Sequence, residues 1–409
     1  MHRRWLGVAG SCGLVALAAC GSSATGSSTG GGTGDSKTSL PSSGSSGGAA
    51  SDTGTSGGGS SGATGGDSPA FGPAGGSSGS AGGLAGVSGS SSTGPASAAS
   101  TDAGPVNSGA GVLTAGVWDD SLNFPFFSNY LTAHSQIAGD PGFTPADYTA
   151  AHAASVQRTP RAVVDVALVI DTTGSMGDEI AYLTAEFAGI SAAIASKFPN
   201  ADQRWALVVY RDTPDYDQGD AYVVKSFDFT GNTGTFASTV GAQTAGGGGD
   251  YPESPELGLE ELGKLTWRTD PSVAKLAFWV ADAPHHTERA AAMKKAITDA
   301  QTAGIRLYPV SASGTDDLLE LTMRSAAEIT GGRYLFLTDD SGVGGVHKVP
   351  EIPCYFVTRL EKALVRVVSM ELAGDYIGPN TADILRVSGN ASPDGTCAVE
   401  GDGGTVQIF

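Results

Sequence analysis

The chain has 409 residues, with 23 Lys and Arg against 42 Asp and Glu, and its formal net charge is −19 at pH 7. Only three of the basic residues and four of the acidic residues precede residue 111, which leaves a net charge of −18 on the C-terminal part. A field of that sign repels phosphate backbones, so we expect no nucleic-acid partner and regard cations as the natural small ligands.

The first 19 residues have the pattern of an export signal. Arg3 and Arg4 precede an apolar run over 5–17 that is too short to span a bilayer as a stable helix. The run ends in Leu17-Ala18-Ala19-Cys20, which resembles the bacterial lipobox. The resemblance implies that residues 1–19 are removed and that Cys20 carries lipid. An ordinary signal peptide that happens to hold a Cys is the alternative.

These features predict an exported lipoprotein held in the membrane by its lipid, facing the periplasm or the cell surface. Gly21 stands after the Cys where an Asp would indicate retention in the inner membrane, so the outer membrane is favoured. Several acyl chains anchor a protein firmly where one would be marginal.

Residues 20–111 comprise the lipidated Cys and a run composed almost wholly of Gly, Ser, Thr and Ala. Such a run cannot bury enough apolar surface to offset the entropy of ordering it, so we predict a disordered linker. A Gly/Ser chain of roughly 90 residues has a root-mean-square span of about 50 Å. The linker would hold the rest of the chain away from the membrane.

Cys12 leaves with the signal peptide and Cys20 takes the lipid, so Cys354 and Cys397 remain as an even pair in an oxidising compartment. A disulfide between them is the simplest interpretation, with two buried thiols as the alternative.

Residues 112–160 are expected to form a leader segment, 161–372 a domain, and 373–409 a tail packed on that domain. The domain alternates buried aliphatic runs with amphipathic segments. In chain order the predicted elements are a strand over 161–170, a helix over 177–198, strands over 205–210 and 222–229, a Leu-rich helix near 257–265, a strand over 276–281, a helix over 288–300, a strand over 305–310, a helix over 316–330, a strand over 333–337 and a helix over 353–372.

This alternation predicts an α/β fold with a doubly wound, mostly parallel six-stranded sheet, one antiparallel edge strand and helices on both faces, similar to a Rossmann fold. Ligands of such sheets bind at the carboxyl ends of the strands, near the point where the strand order reverses. The residues that follow the first and fourth strands are therefore the candidates for a site.

Oxygen-bearing side chains stand at both of these positions. Asp171, Thr173 and Ser175 follow the first strand at alternate positions, and Asp282 follows the fourth. Hard oxygen ligands of this kind suit Mg²⁺, Mn²⁺ or Ca²⁺ rather than Zn²⁺. The alternative is a polar loop in which Ser or Thr caps the following helix.

These residues resemble the metal-ion-dependent adhesion site of the von Willebrand factor A family, over about residues 112–409. Its Asp-x-Ser/Thr-x-Ser loop corresponds to Asp171, Thr173 and Ser175, and its Asp after strand four corresponds to Asp282. Most members place a Thr in a second loop, whereas integrin β chains place a Glu in an Asp-x-Pro-Glu run. Here that run makes Glu253 the fifth ligand, with Asp250 as a second contact or part of a neighbouring ion site.

The resemblance implies one Mg²⁺ ion, with Mn²⁺ or Ca²⁺ as alternatives, and an exchangeable position that accepts a carboxylate from a protein partner. Glu253 in place of Thr adds negative charge, which should strengthen cation binding and make the ion less attractive to an acidic partner. The function predicted is an envelope-anchored adhesion or interaction module. The alternative is a non-catalytic scaffold or subunit of an envelope enzyme or secretion assembly.

No residue is predicted to be catalytic. The neighbours His285 and His286 cannot both face one ion from a strand, and no Cys or His stands at zinc spacing from them. Ser175 lacks an evident general base. Asp212 could support a metal ligand or could equally be a solvated turn residue.

Overall fold

A computed structural model describes residues 110–155, 159–216, 219–399 and 404–409. The predicted signal peptide, Cys20 and the linker up to residue 109 lie outside these described residues. The strands are β1 (Thr114–Trp118), β2 (Val163–Asp171), β3 (Asp202–Tyr210), β4 (Val224–Thr230), β5 (Val273–Ala281), β6 (Ile305–Ser311), β7 (Tyr334–Leu337), β8 (Tyr355–Arg359), β9 (Arg386–Ser388), β10 (Thr396–Ala398) and β11 (Thr405–Gln407).

The helices alternate with the strands through most of the chain. They are α1 (Phe124–Ala133), α2 (Pro145–Ser155), α3 (Ile180–Lys197), α4 (Thr233–Gly241), α5 (Pro255–Lys264), α6 (Ala290–Thr302), α7 (Asp317–Thr330) and α8 (Leu360–Ala373). In the described part of the chain, no helix combines the length and apolarity that crossing a membrane requires.

The main sheet has the strand order β4-β3-β2-β5-β6-β7-β1-β8-β9. Strands β3, β2, β5, β6 and β7 run parallel, and β4 pairs antiparallel with β3 at one edge. The α/β class, the parallel centre and the antiparallel edge strand are as the sequence predicts. The order reverses direction between β2 and β5, so the carboxyl ends of these two strands adjoin.

The prediction of six strands was wrong, because the sheet has nine. The leader contributes β1, which pairs antiparallel with both β7 and β8. The segment predicted as one helix over 353–372 is β8 followed by α8, and the tail adds β9 beside β8. These three strands extend the sheet by pairing antiparallel with strands that are distant in sequence. Local hydrophobic periodicity does not predict such pairing.

A second correction concerns the helix predicted over 177–198. A short 3₁₀ turn over Gly174–Asp178 comes first, and α3 begins only at Ile180.

The helix predicted over 316–330 is α7, and both of its ends are capped. Asp316 caps its start by accepting a hydrogen bond from Leu319 N at 2.8 Å. Gly331 ends that helix with φ 73°, a left-handed C-cap that the sequence predicts because Gly331 and Gly332 directly follow the helical pattern.

Two apolar cores flank the sheet, one on each face. Alternate residues of β2 point to opposite sides, with Val166 and Leu168 in one core and Ala167 and Val169 in the other. Helices α3, α4 and α8 cover the first face, and α1, α2, α5, α6 and α7 cover the second. Burial of the central strands on both faces explains why they are nearly continuous aliphatic runs.

The disulfide predicted between Cys354 and Cys397 is present, with 6.4 Å between the Cα atoms. It joins the residue before β8 to β10 in the tail, and both cysteines are buried. The covalent link therefore ties the tail to the part of the sheet that the leader and β8 complete.

Candidate metal centre

Three loops meet at the carboxyl ends of β2 and β5. Backbone hydrogen bonds hold them together: Gly174 N donates to Gly247 O at 2.9 Å, and Gly246 N donates to Thr172 O at 3.0 Å. On the other side, Glu253 N donates to Pro284 O at 2.9 Å. The loop after β2, the Gly-rich second loop and the loop after β5 thus form one framework.

The Gly run of the second loop permits this close approach. Gly247, Gly248 and Gly249 all have positive φ, which side chains other than Gly adopt rarely. A Cβ at Gly248 would lie 2.5 Å from Glu253 Oε1 and 2.8 Å from the Thr173 Cβ. The Gly-rich second loop therefore passes directly over the side chains of Glu253 and Thr173, which are two of the predicted ligands.

The five predicted ligands lie in one cluster, and hydrogen bonds join three of them. Thr173 Oγ1 donates to Asp171 Oδ1 at 2.7 Å and lies 3.1 Å from Ser175 Oγ. Thr173 also favours the charged form of the Glu253 carboxyl and so lowers its pKa, and Ser175 does the same for Asp282. The structure therefore brings together Asp171, Thr173, Ser175, Glu253 and Asp282 from three loops.

Each carboxyl in this cluster keeps one oxygen without a hydrogen-bond partner among the described residues. These atoms are Asp171 Oδ2, Glu253 Oε2 and Asp282 Oδ1, and their side chains are at most 3 % exposed. A buried polar atom without a partner is costly, and an ion is one of the few explanations for several together. The donor set fits a hard divalent cation such as Mg²⁺.

The electrostatics agree with that interpretation. Burial, reinforced by the charges of Asp171, Asp212 and Asp282, raises the pKa of Glu253 to about 10. Burial also raises the pKa of Asp171 and of Asp282, and the repulsion from Asp282 adds to the shift at Asp171. Carboxylates crowded in this way are destabilised until a cation offsets their charge.

Asp250 does not belong to this cluster but to another beside it. One potential ligand atom from each of Asp212, Asp250 and His286 lies within 4.8 Å of the others, which makes them a possible metal-binding group. Asp212 and His286 are buried, and Asp250 is exposed. Sequence reasoning named Asp250 and Asp212 as possible neighbours of the ion but left out His286, and so missed this group as a unit.

The signal for it was present but ambiguous. Asp212 follows β3, and the ends of three neighbouring strands in a doubly wound sheet can contribute to one site. From the sequence, however, Asp212 was equally consistent with a residue that supports a metal ligand and with a solvated turn residue. His285 and His286 do point apart, as expected: His285 Nε2 contacts Gly139 O at 2.8 Å, and His286 Nε2 contacts Asp212 at 3.1 Å. That alternation leaves His286 free to contribute to a site alone.

No family model matches this chain. It is 28 % identical over 156 residues to the alpha-protein kinase vwkA of Dictyostelium discoideum, an alignment that covers 38 % of this chain and 23 % of that protein. It is 29 % identical over 126 residues to a putative ariadne-like RING finger protein, R811, of Acanthamoeba polyphaga mimivirus, covering 31 % and 12 %. The chain thus spans less than a quarter of the length of either curated relative.

Among solved structures, the chain is similar to the pilus adhesin SpaC of Lactobacillus rhamnosus GG in its open conformation. The TM-score is 0.31 at 12 % identity, over 42 % of this chain and 27 % of that one. A second structure of the same adhesin gives a TM-score of 0.33 at 13 % identity, over 46 % and 30 %. These values describe a partial likeness of fold.

Proposed function

We propose that the chain is an exported outer-membrane lipoprotein whose C-terminal part is a von Willebrand factor A-type domain. In this proposal the domain is not an enzyme and binds a protein partner through a divalent metal ion. The Cys354–Cys397 disulfide supports export, because disulfides persist in oxidising compartments. Fold alone does not settle function, so the argument for metal-dependent binding depends on the site.

The observation that carries the proposal is the set of three buried carboxyl oxygens without partners around the hydroxyls of Thr173 and Ser175. Asp171, Thr173, Ser175, Glu253 and Asp282 would hold the ion. When bound, Mg²⁺ offers a position that exchanges water for an oxygen ligand, because Mg²⁺ keeps several waters in protein sites. Thr173 fixes the direction of the Asp171 carboxyl by donating a hydrogen bond to it, and it also favours the charged form of the Glu253 carboxyl.

Metal binding is tested first, by calorimetry with Mg²⁺ on the purified full-length protein after treatment with EDTA. We expect one Mg²⁺ per chain and a loss of binding in Asp171→Asn. Asp299→Asn is the matched control, because Asp299 is an exposed Asp that pairs with Lys295 on α6, away from the site. Absence of any divalent-ion binding in the wild type would refute the mechanism.

The partner is tested by co-purification from detergent-solubilised envelopes with and without EDTA. A partner that is lost both in EDTA and in Asp171→Asn supports metal-dependent binding. A stoichiometric enzyme that stays bound in EDTA would instead favour the scaffold function, since that contact would not use the ion.

A further inference from the structure

The group formed by Asp212, Asp250 and His286 lies beside the cluster just described, and consecutive residues connect the two. The carboxyl of Glu253 lies beside Thr173 under Gly248, whereas the next residue, Ser254, donates to Asp212 Oδ1 at 2.7 Å. The first turn leading into α5 therefore contacts both groups.

The second group is already arranged for coordination. His286 Nε2 lies 3.1 and 3.2 Å from the two carboxyl oxygens of Asp212. The Tyr216 ring stacks on the imidazole, with ring centroids 3.5 Å apart and an angle of 13° between the planes. Ser254 fixes the Asp212 carboxyl from the other side. These contacts restrain both buried ligands in position.

An Asp–His pair alone would explain the short contact, but it leaves the surrounding charge unexplained. Glu253 and Glu256 are each 2 % exposed, and three of their four carboxyl oxygens have no hydrogen-bond partner among the described residues. Burial raises the pKa of Glu256 to about 7, and the charge of Asp212 adds to that shift. Glu256 therefore adds one more buried carboxyl near Asp212 to the three carboxyls of the first cluster.

The donor set selects the class of ion. Mg²⁺, Ca²⁺ and Mn²⁺ prefer oxygen ligands, whereas an imidazole nitrogen suits Zn²⁺ and other transition metals such as Cu²⁺ and Ni²⁺. Two carboxylates and one imidazole give three protein ligands, and the exposure of Asp250 leaves room for water to complete the shell. The chemistry differs from that of the all-oxygen first cluster.

We propose that Asp212, Asp250 and His286 form a second metal site that binds a transition-metal ion, with Zn²⁺ as the preferred species, next to the Mg²⁺ site. This inference goes beyond the proposed function and does not require it, because none of the three ligands belongs to the first cluster. An ion here would enter between the His286 nitrogen and the Asp212 carboxyl and replace their direct contact.

The test is a calorimetric titration of the full-length, EDTA-treated protein with Zn²⁺ in excess Mg²⁺, so that the first site is occupied or shielded from Zn²⁺. We expect one Zn²⁺ per chain. His286→Asn should lower the Zn²⁺ affinity by about 100-fold or more, since loss of even a supporting partner costs 10- to 100-fold. His134→Asn is the control, because His134 contacts Tyr130 O and Glu351 far from these loops.

Asp250→Asn keeps the test decisive if His286→Asn fails to fold, because the exposed Asp250 side chain contributes little to packing. With Co²⁺ in place of Zn²⁺, a paramagnetically shifted imidazole N–H resonance should appear in the wild type and vanish in His286→Asn. No Zn²⁺ binding above the Mg²⁺ background, or full binding in both variants, would overturn the proposal. If Mg²⁺ fails to bind, the result can still be interpreted, because the proposal is tested by Zn²⁺ binding alone.

Discussion

Glu253 and His285 form an isolated parallel β-bridge that joins the Gly-rich second loop to the loop after β5. The bridge fixes the backbone of Glu253 beside Pro284, so its carboxyl is directed toward Thr173 rather than solvent. The position of this carboxylate therefore depends on the loop after β5, which holds its backbone, and on the Gly-rich loop, which passes over its side chain. Changes in the loop that crosses it should therefore affect metal binding.

Gly248→Ala tests this dependence. Gly248 has φ 95°, and an added Cβ would meet Glu253 Oε1 at 2.5 Å. Strain of about 1–3 kcal/mol, relieved by displacing Glu253, should lower the Mg²⁺ affinity roughly tenfold. Calorimetry measures the change, and Gly263→Ala in α5 is the control, because its Cβ would meet no atom within 4 Å. Equal Mg²⁺ affinity in the two variants would contradict the prediction.

Arg324→Met should destabilise the fold strongly. Arg324 is fully buried, donates to both oxygens of Asp120 in the leader at 2.7 and 3.0 Å, and bonds Glu320 at 3.2 Å. Its loss leaves the buried Asp120 carboxylate without a cation and Glu320 with Lys348 alone, which costs about 3–5 kcal/mol.

The control for Arg324→Met is Arg386→Met, which breaks a bidentate pair with the partly exposed Asp340. That exposed pair should contribute only about 0–1 kcal/mol. Urea denaturation followed by circular dichroism measures both free energies of unfolding. Similar losses in the two variants would show that the leader's contact with α7 is not a buried ion pair in solution.

Replacing Cys354 and Cys397 together by Ser should lower the free energy of unfolding. The bond closes a loop of 43 residues, for which the chain-entropy model gives about 4 kcal/mol. The wild type in a reducing agent should approach the stability of the variant, which should not respond to the agent. Thiol labelling of the denatured, unreduced wild type checks the bond itself, and labelling at both cysteines would disprove it.

His347 should make stability depend on pH. It is 5 % exposed and lies 2.9 Å from Glu179 Oε1 and 2.8 Å from Asp339 Oδ1. Burial lowers its pKa, but the hydrogen bonds to these two carboxylates outweigh burial, and the net pKa is raised. A raised His pKa means that the folded state binds the proton more tightly than the unfolded state does.

The stabilisation is therefore complete below the unfolded pKa of about 6.5 and is lost as the pH rises through the folded pKa. The stability difference between the wild type and His347→Asn should be larger at pH 5 than at pH 9. Denaturation curves at a series of pH values measure it. A difference that is constant across the series, or that grows with pH, would exclude a charged His347 in the folded state.

Cys20→Ser should release the protein from membranes, because lipid on Cys20 is the anchor that the lipobox implies. The measurement is fractionation of wild type and variant after a carbonate wash, with Cys12→Ser as the control, since Cys12 would leave with the signal peptide. Retention of Cys20→Ser in the membrane pellet would mean that another element anchors the chain.

The alternation of buried strands and amphipathic helices between residues 161 and 337 is local, and the sequence predicted each of these elements except α4 (Thr233–Gly241). The same holds for the left-handed end of α7 at Gly331, because a Gly pair after an amphipathic run has few other uses. The sequence also predicted Asp171, Thr173 and Ser175 as ligands, since they occupy one short loop directly after a nearly continuous aliphatic strand. These features depend on contacts within one or two turns of chain.

What lay beyond the sequence depends on partners far along the chain. Residues Tyr355–Arg359 have helical spacing with α8, yet they form β8 because β1 of the leader supplies a strand to pair with. His286 was set aside because two adjacent His residues cannot both face one ion and no Cys or His stands at zinc spacing. Only the approach of β3 and the second loop brings Asp212 and Asp250 to it. The periodicity of hydrophobic residues indicates which face of a helix or strand is buried. Which elements contact each other is determined by the packing of the whole domain.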